Sequence, residues 1–301
     1  GFTPLLETRI GGNRIWIKQE QLFPTGSYKD RGASVLISRA VELGIRKVVE
    51  DSSGNAGAAI AAYAALAGIE CEIFVPEATA PAKLAQIELY GAALHKVPGS
   101  REDTARAVLV AAETEFYASH SWSPFFFYGT KTYAYEIWEQ LGFNTPDVLI
   151  IPTGNGTLLI GAYLGFQDLL SQNLISALPR IIAVQSENCA PLHKMWADRL
   201  EQLPPRQPEK TIAEGIAIAE PIRGRQIVDA VRKTEGAFVT VSEREILTAL
   251  VEMGRNGWFM EPTSAAAFAG LEKCSIDERE TVVVPITGHG LKSTDKLLSL
   301  L

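Results

Sequence analysis

The chain has 301 residues, 47% of them apolar and 21% charged, and its 28 Lys and Arg against 35 Asp and Glu give a formal charge of −7. That length can bury the core of one large α/β domain or of two domains. An acidic balance with no basic block excludes a nucleic-acid groove or an anionic membrane patch, and no apolar run reaches the ~20 residues that span a bilayer. Cys71, Cys189 and Cys274 are widely spaced with no CxxC pair, which excludes a disulfide framework or a zinc knuckle and points to a reducing, cytoplasmic setting. No metal site is expected. The chain opens on Gly1 with no basic segment running into an apolar one, so no export signal is expected.

In chain order, a proline-glycine turn at residues 24–28 predicts a helix over 30–43. Short apolar runs at 47–49, 70–75, 93–97 and 148–151 then alternate with helix-like stretches. That rhythm is the signature of βαβ units and a parallel sheet. Gly44, Gly68 and Gly91 fall where the helices should stop, as left-handed caps do. The segment AGAAIAAYAALA at 56–67 is small or apolar on every face, so its helix should be packed on all sides. Runs at 181–184, 238–241 and 281–286 carry the alternation to the C-terminus. The expectation is two α/β lobes, a smaller one at 44–144 inserted into a larger one made of 1–43 and 145–301. LPPRQP at 203–208 reads as a surface loop.

Five glycine-bearing segments fall where strands end or helices begin, the edge at which open α/β sheets bind ligands: PTGSYKDRG at 24–32, SSGNAG at 52–57, PTGNGT at 152–157, TIAEG at 211–215 and TGHG at 287–290. Lys29 sits at a helix start beside Arg31, a setting suited to a nucleophilic amine. Asp30 and Arg31 are expected to pair with each other or with neighbours in a structural role. Gly154, Asn155, Gly156 and Thr157 lie between a strand and a helix, so their backbone N–H groups and the helix dipole favour an anion. The Thr157 hydroxyl can add a donor or cap its own helix, and Ser52 and Ser53 can cap the helix at 56 or bind an anion. His289 suits catalysis or a hydrogen bond to loop backbone, and is left out of the catalytic set.

Taken together, PTGSYKDRG, SSGNAGAAIAAYAALAG, FVPEATAPAKLAQIELYGA, GTKTYAYEI, EPTSAAAFAGL and TGHGLK resemble the fold-type II pyridoxal phosphate enzymes over nearly the whole chain, most closely the threonine synthase branch. The resemblance implies an α/β fold of two lobes, each a mainly parallel twisted sheet flanked by helices, a homodimeric habit and pyridoxal 5′-phosphate as cofactor. It makes Lys29 the Schiff-base lysine and the base for the α-proton. The residues from Gly154 to Thr157 become the phosphate cradle, Asn55 lies beside the pyridine 3′-oxygen, Gly215 against the ring and Thr287 against the pyridine nitrogen. Ser52, Ser53, Gly54 and Asn55 become the binding loop for a small amino-acid substrate, with Ser53 as a second acid/base hydroxyl.

The branch holds a substrate γ-phosphate with a threonine, an arginine and an asparagine where this chain has Ala56, Phe126 and Leu158. The implied activity is therefore threonine synthase-like elimination or replacement at Cβ or Cγ. Serine or threonine dehydration and serine racemisation of an unphosphorylated amino acid are the alternatives, and a regulatory protein that binds the cofactor without turnover is the alternative outside enzymes.

Overall fold

The computed structural model describes residues 2–10, 12–99, 101–204 and 208–300, with the side chains of residues 101 and 102 excepted. Its strands are β1 (Leu5–Ile10), β2 (Asn13–Lys18), β3 (Lys47–Glu50), β4 (Glu70–Pro76), β5 (Ala93–Val97), β6 (Phe116–Tyr117), β7 (Val148–Pro152), β8 (Arg180–Ser186), β9 (Ala237–Val241) and β10 (Val282–Pro285). The helices are α1 (Lys29–Glu42), α2 (Asn55–Ala67), α3 (Pro81–Leu89), α4 (Arg101–Ala111), α5 (Pro124–Thr130), α6 (Thr132–Gln140), α7 (Thr157–Ser171), α8 (Pro191–Ala197), α9 (Gly224–Lys233), α10 (Glu243–Arg255), α11 (Pro262–Glu272) and α12 (Thr294–Leu300). All seven expected strands form. Gly44, Gly68 and Gly91 take φ of 72°, 66° and 82°, the left-handed conformation that stops a helix. Part of the loop expected at 203–208 lies outside the described residues.

The chain divides into two compact units, Phe23–Thr130 and Gly1–Leu22 with Lys131–Leu301. These bounds differ from the expected 44 and 144 because helix packing crosses those positions. In the inserted unit, α1 lies against α2 and α5. A β-carbon on Gly32 would collide with the Phe126 ring, and one on Gly129 with the Arg31 carbonyl, so the two helices approach at backbone distance. In the larger unit α6 packs on α7, where Gly165 leaves room for Ala134 and the Lys131 carbonyl.

The inserted unit is a four-stranded parallel sheet in the order β5-β4-β3-β6. Successive residues feed opposite faces. Val48, Ile73 and Val75 join a core with Leu36, Ile60, Leu84 and Phe126, while Val49 and Phe74 pack with Val108 of α4. Helix α2 departs from the expectation of packing on every side: Ala56 to Ala61 are buried, but residues 65–68 are exposed.

The larger unit carries a six-stranded sheet, β1-β2-β10-β7-β8-β9, parallel except for the β1–β2 hairpin. Ile15, Ile17, Ile150, Val184 and Val284 pack against α10 and the small-residue face of α11. Ser242 opens α10 with a capping box: its hydroxyl accepts the Glu245 N–H, and the Glu245 carboxylate accepts the Ser242 N–H at 2.6 Å.

Lys18, wholly buried at the end of β2, donates to the Thr3 carbonyl (2.6 Å), the Glu136 carboxylate (2.8 Å) and Gln140 Oε1 (2.7 Å), pinning α6 to the N-terminal hairpin. Removing one partner of a buried ion pair strands the other. Lys18→Met should therefore cost about 3 to 5 kcal/mol in a denaturant titration, and Lys18→Met with Glu136→Leu should recover most of it.

Candidate active site

In the inserted unit, a turn through Gly26 (φ 83°) leads into α1. Asp30, buried in the first turn, accepts the Thr25 N–H at 3.0 Å and the Thr25 hydroxyl, and Gln86 of α3 donates to the Thr25 carbonyl at 3.1 Å. The Arg31 guanidinium lies over the Phe23 ring at 4.9 Å. Both residues serve the local structure, as expected, and their contacts hold the turn that presents Lys29. Lys29 is the first residue of α1 and half-buried; its Nζ lies 4.6 Å from the centre of the Tyr28 ring and 5.6 Å from that of Phe126. Both rings stand within cation–π distance of the amine.

Ser52, Ser53, Gly54 and Asn55 come together between β3 and the start of α2. The N-cap of α2 is Gly54, and no side chain caps the helix, so neither serine takes the capping role. Instead Ser52 Oγ accepts the Gly54 N–H at 3.3 Å, and the loop folds back so tightly that a β-carbon on Gly57 would collide with the Ser52 carbonyl. The first turn of the helix carries the positive end of the helix dipole.

The same design recurs in the larger unit between β7 and α7. Gly156, at φ 66°, is the N-cap of α7, no side chain caps the helix, and Thr157 is almost fully buried without serving as its cap. A β-carbon on Gly154 would stand 2.9 Å from Ile216 Cα and 3.0 Å from the Gly215 carbonyl oxygen, so Gly154 and Gly215 are close neighbours. The Gly215 N–H donates to Thr263 Oγ1 at 3.0 Å. Next to Thr263, the buried Ser264 Oγ accepts the N–H groups of Thr287 (2.9 Å) and Gly288 (3.2 Å) and lies 3.0 Å from Thr287 Oγ1. A continuous chain of contacts thus runs Gly154, Gly215, Thr263, Ser264, Thr287. Glu214 is exposed and pairs with Lys296, and His289 Nδ1 accepts the Leu291 N–H at 3.1 Å, the backbone role weighed for it.

Thr263 and Ser264 were not singled out in the sequence, although they sit in EPTSAAAFAGL; hydroxyls in a run of small residues look like helix filler. Glu50 and His120 were missed too. The available signal was an acid closing an apolar strand, since a carboxylate there must find a partner. Glu50 is fully buried, with Oε1 2.6 Å from His120 Nδ1. Burial, and the charge of Asp51 after it, push the Glu50 carboxyl well above the usual carboxylate range, while Lys29 and backbone N–H groups pull the other way.

Each unit is thus an α/β layer structure, a parallel or mainly parallel sheet flanked by helices, with glycine turns at the starts of α2 and α7. The family model described as "Pyridoxal-phosphate dependent enzyme" matches residues 1–288, and the chain belongs to that family. The threonine synthase of Methanocaldococcus jannaschii is 36% identical over 98% of this chain and 76% of its own length, and that of Mycobacterium tuberculosis H37Rv is 36% identical over 99% and 84%. A pyridoxal 5′-phosphate-dependent aspartate racemase superposes with a TM-score of 0.83 at 26% identity over 98% of this chain and 92% of that one. A threonine deaminase from T.th. gives 0.82 at 25% over 96% and 92%. The chain is a threonine synthase-like, pyridoxal-phosphate-dependent lyase of fold-type II.

Ser264→Ala strips the acceptor from two buried N–H groups. At about 1 to 3 kcal/mol per stranded group, a loss of roughly 2 to 6 kcal/mol is expected in a denaturant titration. A value under about 1 kcal/mol would mean that the 287–288 backbone has other partners.

Proposed function

We propose that the chain removes or replaces a substituent at Cβ or Cγ of a small, unphosphorylated amino acid, with Lys29 carrying the cofactor and then taking the α-proton. The residues present fit pyridoxal phosphate. The closely packed Gly154, the left-handed Gly156 and the uncapped first turn of α7 offer backbone N–H donors, and Thr157 a hydroxyl, to a phosphate dianion; Asn155 completes that loop. Asn55 would meet the pyridine 3′-oxygen, Gly215 the ring face, and Thr287, set by Ser264, the pyridine nitrogen. The bound cofactor supplies an electron sink for the bonding pair left at Cα.

The protein's own groups do the rest. Ser52, Ser53 and the N–H groups at the start of α2 hold the substrate carboxylate, and the Ser53 hydroxyl faces the substrate as a second acid or base. A hydroxyl at Thr287 does not hold the pyridine nitrogen protonated as a carboxylate does. Beside this hydroxyl the bound cofactor would be a mild electron sink, which would favour departure of a leaving group over transamination.

The observation that carries the substrate reading is the burial of Ala56, Phe126 and Leu158, each at most 2% exposed. These are the positions where the resemblance calls for donors to a substrate phosphate, and a dianion set against three apolar side chains is poorly compensated. The threonine synthase names of relatives at 36% identity favour a second reading, in which phosphohomoserine is the substrate and other donors hold its phosphate. The same proposal has the enzyme act as a homodimer in the cytoplasm, where the three free thiols of Cys71, Cys189 and Cys274 would stay reduced. Light scattering would test the dimer.

Borohydride reduction should fix the cofactor on Lys29, as read by peptide mapping, and label found on Lys131 would overturn the assignment. Lys29→Ala should retain weak cofactor binding and lose turnover by at least about a thousandfold. In a kcat/KM panel of serine, threonine, O-acetylserine and phosphohomoserine, the phosphorylated substrate should trail. Two or three missing charge-assisted bonds at roughly 1.5 to 3 kcal/mol each amount to a few orders of magnitude. A preference for phosphohomoserine would establish the second reading.

A further inference from the structure

The inserted unit buries an acid–base pair that the reading above leaves unused. Glu50 closes β3 immediately before the 51–55 loop, on the face of the sheet that Val48 shares with α1 and Phe126. Its side chain is wholly buried; Oε1 lies 2.6 Å from His120 Nδ1, and Oε2 has no hydrogen-bond partner among the described residues. His120 is itself nearly buried and meets the Phe126 ring edge-on, with centroids 6.0 Å apart, and Lys29 Nζ lies 5.6 Å from the centre of that same ring. Phe126 thus links the buried pair to the lysine. Nothing in the packing of the unit requires a carboxylate there, since an apolar residue would close the strand at lower desolvation cost.

We propose that Glu50 and His120 are a positioning pair for Lys29, sharing one proton across their hydrogen bond and, when that proton leaves, setting a negative charge beside the Phe126 ring that the lysine nitrogen also meets. The inference rests on the reading of Lys29 as the cofactor lysine. The charged and titratable groups around Glu50 are Lys29 from α1, Asp51 from the loop, Cys71 from β4, and Tyr117 and His120 from β6 and the segment after it. Lys29 acts on the Glu50 carboxylate as an opposite charge, and the field of the carboxylate acts back on that amine. The Cys71 thiol, pushed up to about 12 by burial and by Glu50, stays neutral. Tyr117, which donates to Asp51 at 2.7 Å, is pushed up by burial and by both carboxylates and stays neutral as well.

At low pH the pair keeps its proton and is neutral. As the pH rises it gives that proton to solvent and becomes anionic, and the anion favours a proton on the neighbouring nitrogen. The cofactor nitrogen held on Lys29 therefore keeps its proton to higher pH than it would beside a neutral pair.

The test is a pH titration of the cofactor absorbance in the resting holoenzyme, without substrate. In Glu50→Gln, which preserves shape and hydrogen bonding but not charge, the absorbance midpoint should move to lower pH by about one unit or more. His120→Gln keeps a side-chain donor to the carboxylate and should stay close to wild type, whereas His120→Leu removes the donor, favours a neutral Glu50 and should move the midpoint the same way as Glu50→Gln. An unmoved midpoint in folded Glu50→Gln overturns the inference. Where that variant fails to fold, an unmoved midpoint in His120→Leu does the same. Borohydride mapping of the wild type separates the two claims: label away from Lys29 removes the underlying reading, while label on Lys29 with unmoved midpoints removes only the pair.

Discussion

Helix α1 can lie against α5 only because Gly32 and Gly129 have no side chains at their crossing, where the Phe126 ring and the Arg31 carbonyl fill the space that two methyl groups would need. From that contact follow the burial of Phe126, the depth at which α1 begins and the place of Lys29 beside the same ring. The turn before α1 is then held by Asp30 and Thr25, and that turn by Gln86. Beside that seam the Lys29 amine stands within cation–π distance of both the Tyr28 and Phe126 rings.

The other parts of the candidate site share one physical device. Helices α2 and α7 both begin after a glycine at the N-cap, which brings no capping side chain of its own. Helix α10, remote in function, shows the contrast: its Ser242–Glu245 capping box closes the same groups on themselves. The hydroxyls of Thr263 and Ser264 extend this economy, since two adjacent side chains on α11 fix both the Gly215 backbone and the Thr287–Gly288 backbone.

Much of this was legible in the sequence because it is written in local signals. Apolar runs of strand length separated by helix-length stretches gave the parallel sheets, and Gly44, Gly68 and Gly91 marked helix ends that the structure confirms in their dihedral angles. The glycine loops at 52–57 and 152–157 were visible for the same reason. The β1–β2 hairpin escaped because neither LLETRI nor NRIWIK alternates apolar and polar residues, so only the glycine pair between them hinted at a turn. The bounds of the inserted unit escaped for a different reason. They are set by contacts of α1 with α5 and of α6 with α7, which join residues about 100 and 30 positions apart and leave no mark in a window of about fifteen. Glu50 and His120, 70 positions apart, were invisible as a pair for the same cause, whereas Glu50 alone, closing an apolar strand, was open to notice.

The dependence of Lys29 on the α1–α5 seam is the claim on which the account turns. It is tested most directly by measuring how much pyridoxal phosphate borohydride fixes on Lys29 in Gly32→Ala and in Gly32→Ala with Phe126→Leu. The added methyl of the single variant displaces the ring and the start of α1, so labelling should fall severalfold with the chain still folded, and the smaller side chain of the double variant should restore it. Labelling at the wild-type level in folded Gly32→Ala would contradict the account, because Lys29 would then be placed by something other than the seam.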